Sequence, residues 1–147
     1  MSITRDTRPV DPIDQAQRVK LNDVAQALRS THSTLLEVVK KDYESKHGAI
    51  NGPFAYFQLV TNDPIFQWLR PLSGMMANLD DLLDNKRDLK PFDAVQVQVD
   101  VEALFKTESS SEFAKNFHAR VTLEQEVKIR LVELEKVLVN LSDTHSV

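Results

Sequence analysis

The chain contains no cysteine. That excludes disulfides, thiolate metal sites and thiol nucleophiles, and it agrees with a reducing compartment. Glycine is almost as scarce, with three residues at positions 48, 52 and 74. A phosphate-cradling loop needs clustered glycines and an all-β domain needs many tight turns, so both are disfavoured. No uncharged run reaches the roughly 18 residues that span a bilayer. The first fourteen residues, MSITRDTRPVDPID, hold no apolar core of a secretory signal. Positive charge is not in surplus either: the net charge is −4. Lys40-Lys41 and Lys86-Arg87 with Lys90 are interleaved with acids, whereas generic nucleic-acid binding needs a basic surface. These absences describe a soluble, cytoplasmic protein with neither nucleic acid nor membrane as partner.

What is present suits one globular domain. The hydrophobic fraction of 41% and the charged fraction of 27% are ordinary, and 147 residues suffice for a single core. Residues 1–10 read as a flexible polar leader and 142–147 as a flexible tail.

The richest stretch is Phe54 to Asp84, which holds half of the ten aromatic residues. Ile65, Leu69, Leu72, Met76, Leu79 and Leu83 recur at gaps of 4, 3, 4, 3 and 4, one face of a helix. Pro53, Pro64 and Pro71 divide it. Asn51-Gly52-Pro53 and Asn62-Asp63-Pro64 each start a helix, since Asn and Asp cap and proline suits the first position. Pro71 removes a donor and crowds the preceding turn, so the spacing predicts a kink or split between Trp68 and Leu72.

On the N-terminal side, Asp11-Pro12-Ile13-Asp14 opens a long helix that Gly48 ends. The polar run Ser30 to Thr34 interrupts its apolar face and is expected to bend it. On the C-terminal side, Val95, Val97, Val99 and Val101 alternate with polar residues as in a strand. Ala94, Val97, Val101 and Leu104 equally fit a helical face. Helix is favoured because no second strand candidate exists; a strand would need pairing with another copy of the chain. Ser109-Ser110-Ser111-Glu112 matches a capping box. The helix after it carries Phe113, Phe117, Val127, Leu131, Leu134, Leu138 and Leu141, with a break expected near Thr122. The architecture expected is an all-α bundle of about four main helices, the central one kinked or split at Pro71.

Chemistry is thinly represented. Glu44 and His47, three apart on a helix, form half of a di-iron ligand motif, but no second Glu-x-x-His exists. A histidine in a last helical turn before glycine also suits the dipole. His32 and His118 are conceivable bases, yet no motif places a nucleophile beside either. Asp80, Asp81 and Asp84 lack the spacing of a calcium loop. No metal, cofactor or catalytic residue is expected. Phe66, Trp68 and Arg70 are the candidate partner- or ligand-binding residues, because Trp and Arg anchor interfaces; Trp68, about 100° from Leu69 on the helix, reads as core ahead of the edge of a binding surface. Phe66, Trp68, Met75 and Leu82 lie off the main stripe and need cover.

The run Asp63 to Ser73, DPIFQWLRPLS, followed by Leu79-Asp80-Asp81-Leu82-Leu83, resembles a group of small bacterial helical proteins with a "DP-aromatic-x-WLRPLS" segment. The Glu44 to Pro53 segment fits the same pattern. The resemblance covers about 40 residues of the first half. It implies a bacterial, cytoplasmic, helical protein and carries over no functional residue. The functional expectation is a non-enzymatic interaction protein, with self-association as its simplest form. The alternative is a small-molecule or metal-binding bundle, its pocket near Pro71 or at Glu44-His47.

Overall fold

In the computed structural model, residues 12–84, 89–106 and 110–142 are described. They form seven helices and, among the described residues, no strand. The helices are α1 (Pro12–His47), α2 (Gly52–Asn62), α3 (Pro64–Gln67), α4 (Arg70–Asp84), α5 (Pro91–Phe105), α6 (Glu112–Leu123) and α7 (Gln125–Ser142). The all-helical expectation holds; the four main helices become seven. The expected leader, the tail beyond Ser142 and the Asp11 cap lie outside the described residues.

Helix α1 is the spine. Its 36 residues make a rod of about 54 Å at 1.5 Å per residue. The buried side chains repeat every seven residues in two rows: Asp14, Leu21, Leu28 and Leu35, and Gln17, Val24, Thr31 and Val38. That is the seam of a coiled coil. The Ser30–Thr34 run does not interrupt the helix. Thr31 belongs to the inner face, and its hydroxyl donates to the Ala27 carbonyl at 2.9 Å, so its burial leaves no orphan group. Gly48 ends the helix as expected, with φ of +85° and its N–H on the Glu44 carbonyl at 2.9 Å.

Helix α7 answers the seam with Val127, Leu134, Leu138 and Leu141, all buried. Arg120 pairs with Asp42, and the Arg130 Nε donates to the Thr34 hydroxyl at 3.0 Å. Arg120 lies in α6 and Arg130 in α7, so the α6–α7 segment runs back along α1. Helix α4 also runs antiparallel to α1, from the Ser73–His32 contact to the Arg18 guanidinium, which donates to the Leu83 carbonyl at 2.8 Å.

The break in the central stretch falls at Trp68 and Leu69, inside the expected window. Pro71 is the second residue of α4, where its missing donor costs nothing. Asp63 caps α3, accepting from the Ile65 N–H at 3.0 Å. Residues 94–105 are helical. Two details of the expected caps change. Ser111 caps α6, accepting from the Ala114 N–H at 3.1 Å, and Ser109 lies outside the described residues. The α6–α7 break is at Glu124; Thr122 bonds back to the His118 carbonyl at 3.2 Å within α6 instead of capping α7.

The last core element is aromatic. Phe113 and Phe117 stack at 5.7 Å, and Phe105 meets both edge-on. This cluster ties α5 to α6.

Asp14 joins the two ends of the α4–α5 hairpin to the spine. Its buried carboxylate accepts from the Leu89 N–H and from the Arg18 Nε at 3.1 Å. Replacing it leaves a buried N–H without an acceptor. Asp14→Ala is expected to cost about 2–3 kcal/mol, read as a lower urea midpoint with an unchanged m-value. A shift under about 0.5 kcal/mol would show that the clamp is dispensable.

Candidate functional site

Helices α4 and α5 enclose a groove of about 720 Å³. On the α4 side the lining is Pro71, Gly74, Met75, Asn78, Leu79 and Leu82. On the α5 side it is Asp93, Gln96, Val97, Asp100, Val101 and Leu104. Both sets have gaps of 3, 1, 3, 1 and 3, so each helix presents one face over three turns. The groove is therefore a straight trough, about 16 Å long by the rise of a helix. Phe92 flanks it at one end and Ala103 and Ser111 at the other.

The local sequence explains the groove. Helix α5 carries apolar residues on every side: Val101 is buried, Val97 half-buried, and Val95 and Val99 exposed. The alternation that mimics a strand winds around a helix at 100° per residue. The core covers one side only. A helix that is apolar all round belongs in an interior, yet α5 has Phe92 at 69% exposure.

Gly74 sharpens the picture. It sits inside α4, where glycine is about 1 kcal/mol worse than alanine. Its φ is not positive, and a Cβ built there meets nothing within 4 Å among the described residues. Neither the backbone nor the internal packing requires glycine. What it does is keep the trough open.

The groove carries few polar groups. Asp93 is buried and its carboxylate accepts from the Lys90 N–H at 2.8 Å, capping α5. Asp100 accepts from the Gln96 side chain at 2.9 Å and is otherwise exposed. No lysine, arginine or histidine lines the groove among the described residues.

The residues singled out in the sequence lie elsewhere. Phe66 is buried at 2% exposure and meets Tyr56 edge-on at 6.1 Å, so it is core and cannot present itself to a partner. Trp68 is half-buried against Phe113 at 5.7 Å, on the rim of the aromatic cluster. Arg70 is exposed and donates to the Thr61 carbonyl at 3.1 Å, tying α4 to α2. None of the three lines the groove. Of the four side chains needing cover, Phe66 is fully covered, and Trp68, Met75 and Leu82 are partly so.

The remaining candidates are accounted for by local bonding. The Glu44 carboxylate accepts from the Ile50 N–H at 2.9 Å and shapes the turn after α1. His47 lies against the Tyr43 ring at 4.6 Å, beside a second, more polar cleft of about 640 Å³. No group of three metal-ligating side chains gathers among the described residues. The His118 ring nitrogen Nε2 is 2.7 Å from the Phe105 carbonyl. His32 and Ser73 are in contact at 3.1 Å, a base beside a hydroxyl. Burial holds His32 below the ordinary histidine range, so its ring is neutral near pH 7. Ser73 lies outside the groove lining, so the pair reads as a bond between α1 and α4.

No helix among the described residues is long and apolar enough to cross a membrane. No family model, curated protein or solved structure matches the chain.

Gly74→Ala is expected to raise stability by about 0.5–1 kcal/mol, seen as a higher denaturation midpoint; a loss of stability would mean the open space is needed for folding. His32 sets a pH effect. Its folded pKa lies below the unfolded value, so its contribution is present above about pH 6.5 and is lost as the pH falls through the lowered pKa. The melting temperature should drop more between pH 7.5 and 5 in the wild type than in His32→Gln, and equal drops would remove His32 as the cause.

Proposed function

We propose that the chain is a non-enzymatic binding protein whose α4/α5 groove receives the apolar face of a partner's helix. The observation behind this reading is the trough itself, lined over three turns on both sides at helical spacing. Helix-in-groove recognition uses that shape, with anchors at i, i+3, i+4 and i+7. Met75 on the wall supplies an adaptable surface. Gly74 and Ala103 supply room for close approach.

A small apolar molecule is the second reading, favoured by a volume inside the range of about 300–1,000 Å³ typical of ligand pockets. The straight trough suits a rod better than a compact ligand. Self-association through the central stretch loses part of its motive, because Phe66 is internal. Catalysis is left without a constellation: no described histidine is joined to both a nucleophile and an orienting carboxylate by any hydrogen bond in the structure.

The test uses a fluorescein-labelled peptide with leucine anchors at i, i+3, i+4 and i+7 and glutamine between them, about four turns long and neutral, with the full chain. Saturable binding is expected, with the wild type at least tenfold tighter than Ala103→Trp, about 1.4 kcal/mol. Ala103 lines one end of the groove and is exposed, so the tryptophan obstructs that end without entering the core. Undiminished binding to Ala103→Trp, or no binding to the wild type, would overturn the groove as the site.

A further inference from the structure

We infer that the helix received by this groove is cationic: an amphipathic segment with lysine or arginine beside its apolar anchors. The inference rests on the groove reading above and specifies the partner's chemistry. Its basis is charge. Helices α4 and α5 contain one basic residue, Arg70, against Asp80, Asp81, Asp84, Asp93, Asp100 and Glu102. One basic and six acidic residues give these two helices −5, while the chain's net charge is −4, so everything else sums to +1. The negative charge of the protein is therefore concentrated on the two helices that build its apolar trough.

Of the six acids, Asp93 and Asp100 line the groove. Asp93 is occupied in capping α5, and Asp80 lies 3.5 Å from Arg29 of α1. Asp100 stands in the groove wall; Asp81 and Asp84 are exposed on α4 outside the lining, and Glu102 lines a separate cleft beside His118. Arg70 is turned to the Thr61 carbonyl. A partner helix lying in the trough meets apolar side chains along its floor, the exposed Asp100 carboxylate in its wall and no basic group. Complementary charge steers encounter and rejects like-charged surfaces.

The same arrangement selects against two other occupants. A second copy of the chain, docked through this face, would bring two helices of net charge −5 against their like, and like charges in apposition are costly. A fatty-acid-like anion would find no basic group in the lining to hold its head. Gly74 fits the cationic helix as well: an open position in the wall admits the methylene stem of a lysine, whose charged end then reaches the rim.

Three labelled peptides of equal length and identical leucine anchors distinguish the outcomes, with lysine, glutamine or glutamate at the flanking positions. Fluorescence anisotropy is read with the full chain at low salt and at about 0.5 M salt, where screening is nearly complete. The lysine peptide is expected to bind at least tenfold tighter than the glutamate peptide at low salt, with the gap under threefold at high salt. Asp100→Asn should weaken the lysine peptide and leave the glutamine peptide unchanged. Ala103→Trp, which keeps every charge, should weaken both; a lysine peptide that binds this variant undiminished is a non-specific polycation on an acidic protein, and overturns the inference. Equal binding of all three peptides overturns the inference and leaves the groove reading standing. No binding of any peptide overturns both. A concentration-dependent dimer in sedimentation, dispersed by Ala103→Trp, would make the occupant a second copy and also overturns the inference.

Discussion

Two rows of side chains on α1, spaced seven residues apart from Asp14 to Val38, are the constraint on which the other helices depend. Helices α7 and α4 both lie antiparallel to this rod, and each buries its apolar stripe against it. The seam is not uniformly apolar. Asp14, Gln17 and Thr31 occupy positions where leucine and valine would bury more area, and each burial costs free energy unless a partner is found. Thr31 finds its own carbonyl one turn back, and Asp14 finds the Leu89 N–H and Arg18. The Gln17 Oε1 has no partner among the described residues, and we have no physical account of it. A polar group at a seam position fixes which element can lie opposite. Asp14 does this for the α4–α5 connection, because only a backbone N–H brought to that place satisfies it.

The hairpin held in this way is asymmetric in its burial. Leu72 and Leu79 of α4 face α1, and Val101 and Phe105 of α5 reach the α6–α7 side through the aromatic cluster. Between these two anchorages the facing sides of α4 and α5 are only partly covered by the described residues: Leu79 and Val101 are buried, and Met75, Leu82, Val97 and Leu104 partly so. The trough follows from two helices being fixed to different parts of the core. A third helix of a bundle would ordinarily fill that position, and here none of the described helices does.

Much of the scaffold was legible from the residues. The proline and glycine punctuation located helix starts at Gly52 and Pro64 and the end at His47, because these residues act through backbone chemistry that needs no tertiary context. The stripe of α7 was legible because leucines at gaps of 3 and 4 admit one explanation. The seam of α1 was misread at Thr31, since a buried threonine depends on a bond that composition does not show. The candidate site was hardly legible at all. Phe66, Trp68 and Arg70 drew attention by residue type, yet type does not say which side of a helix faces the core. Phe66 packs inward, and Arg70 serves the backbone of α2. The residues that shape the groove are unremarkable singly: a glycine, an alanine, a glutamine and two valines.

The signal that was available lay in conflicts between levels. Natural sequences agree across propensity, pattern and packing, and departures gather where something other than folding is served. The alternating valines of α5 are such a departure, since they give a helix apolar side chains on more sides than its own domain covers. Gly74 is another, weakening a helix with no steric gain inside the chain. The acids of α4 and α5 are a third, crowding like charge onto one hairpin of a chain otherwise near neutrality. Each alone has an ordinary explanation in surface chemistry. Gly74, Val97, Val101 and Asp100 line one trough. A basic, apolar helix laid into the trough, as proposed above, would cover these apolar faces and oppose the charge of the hairpin.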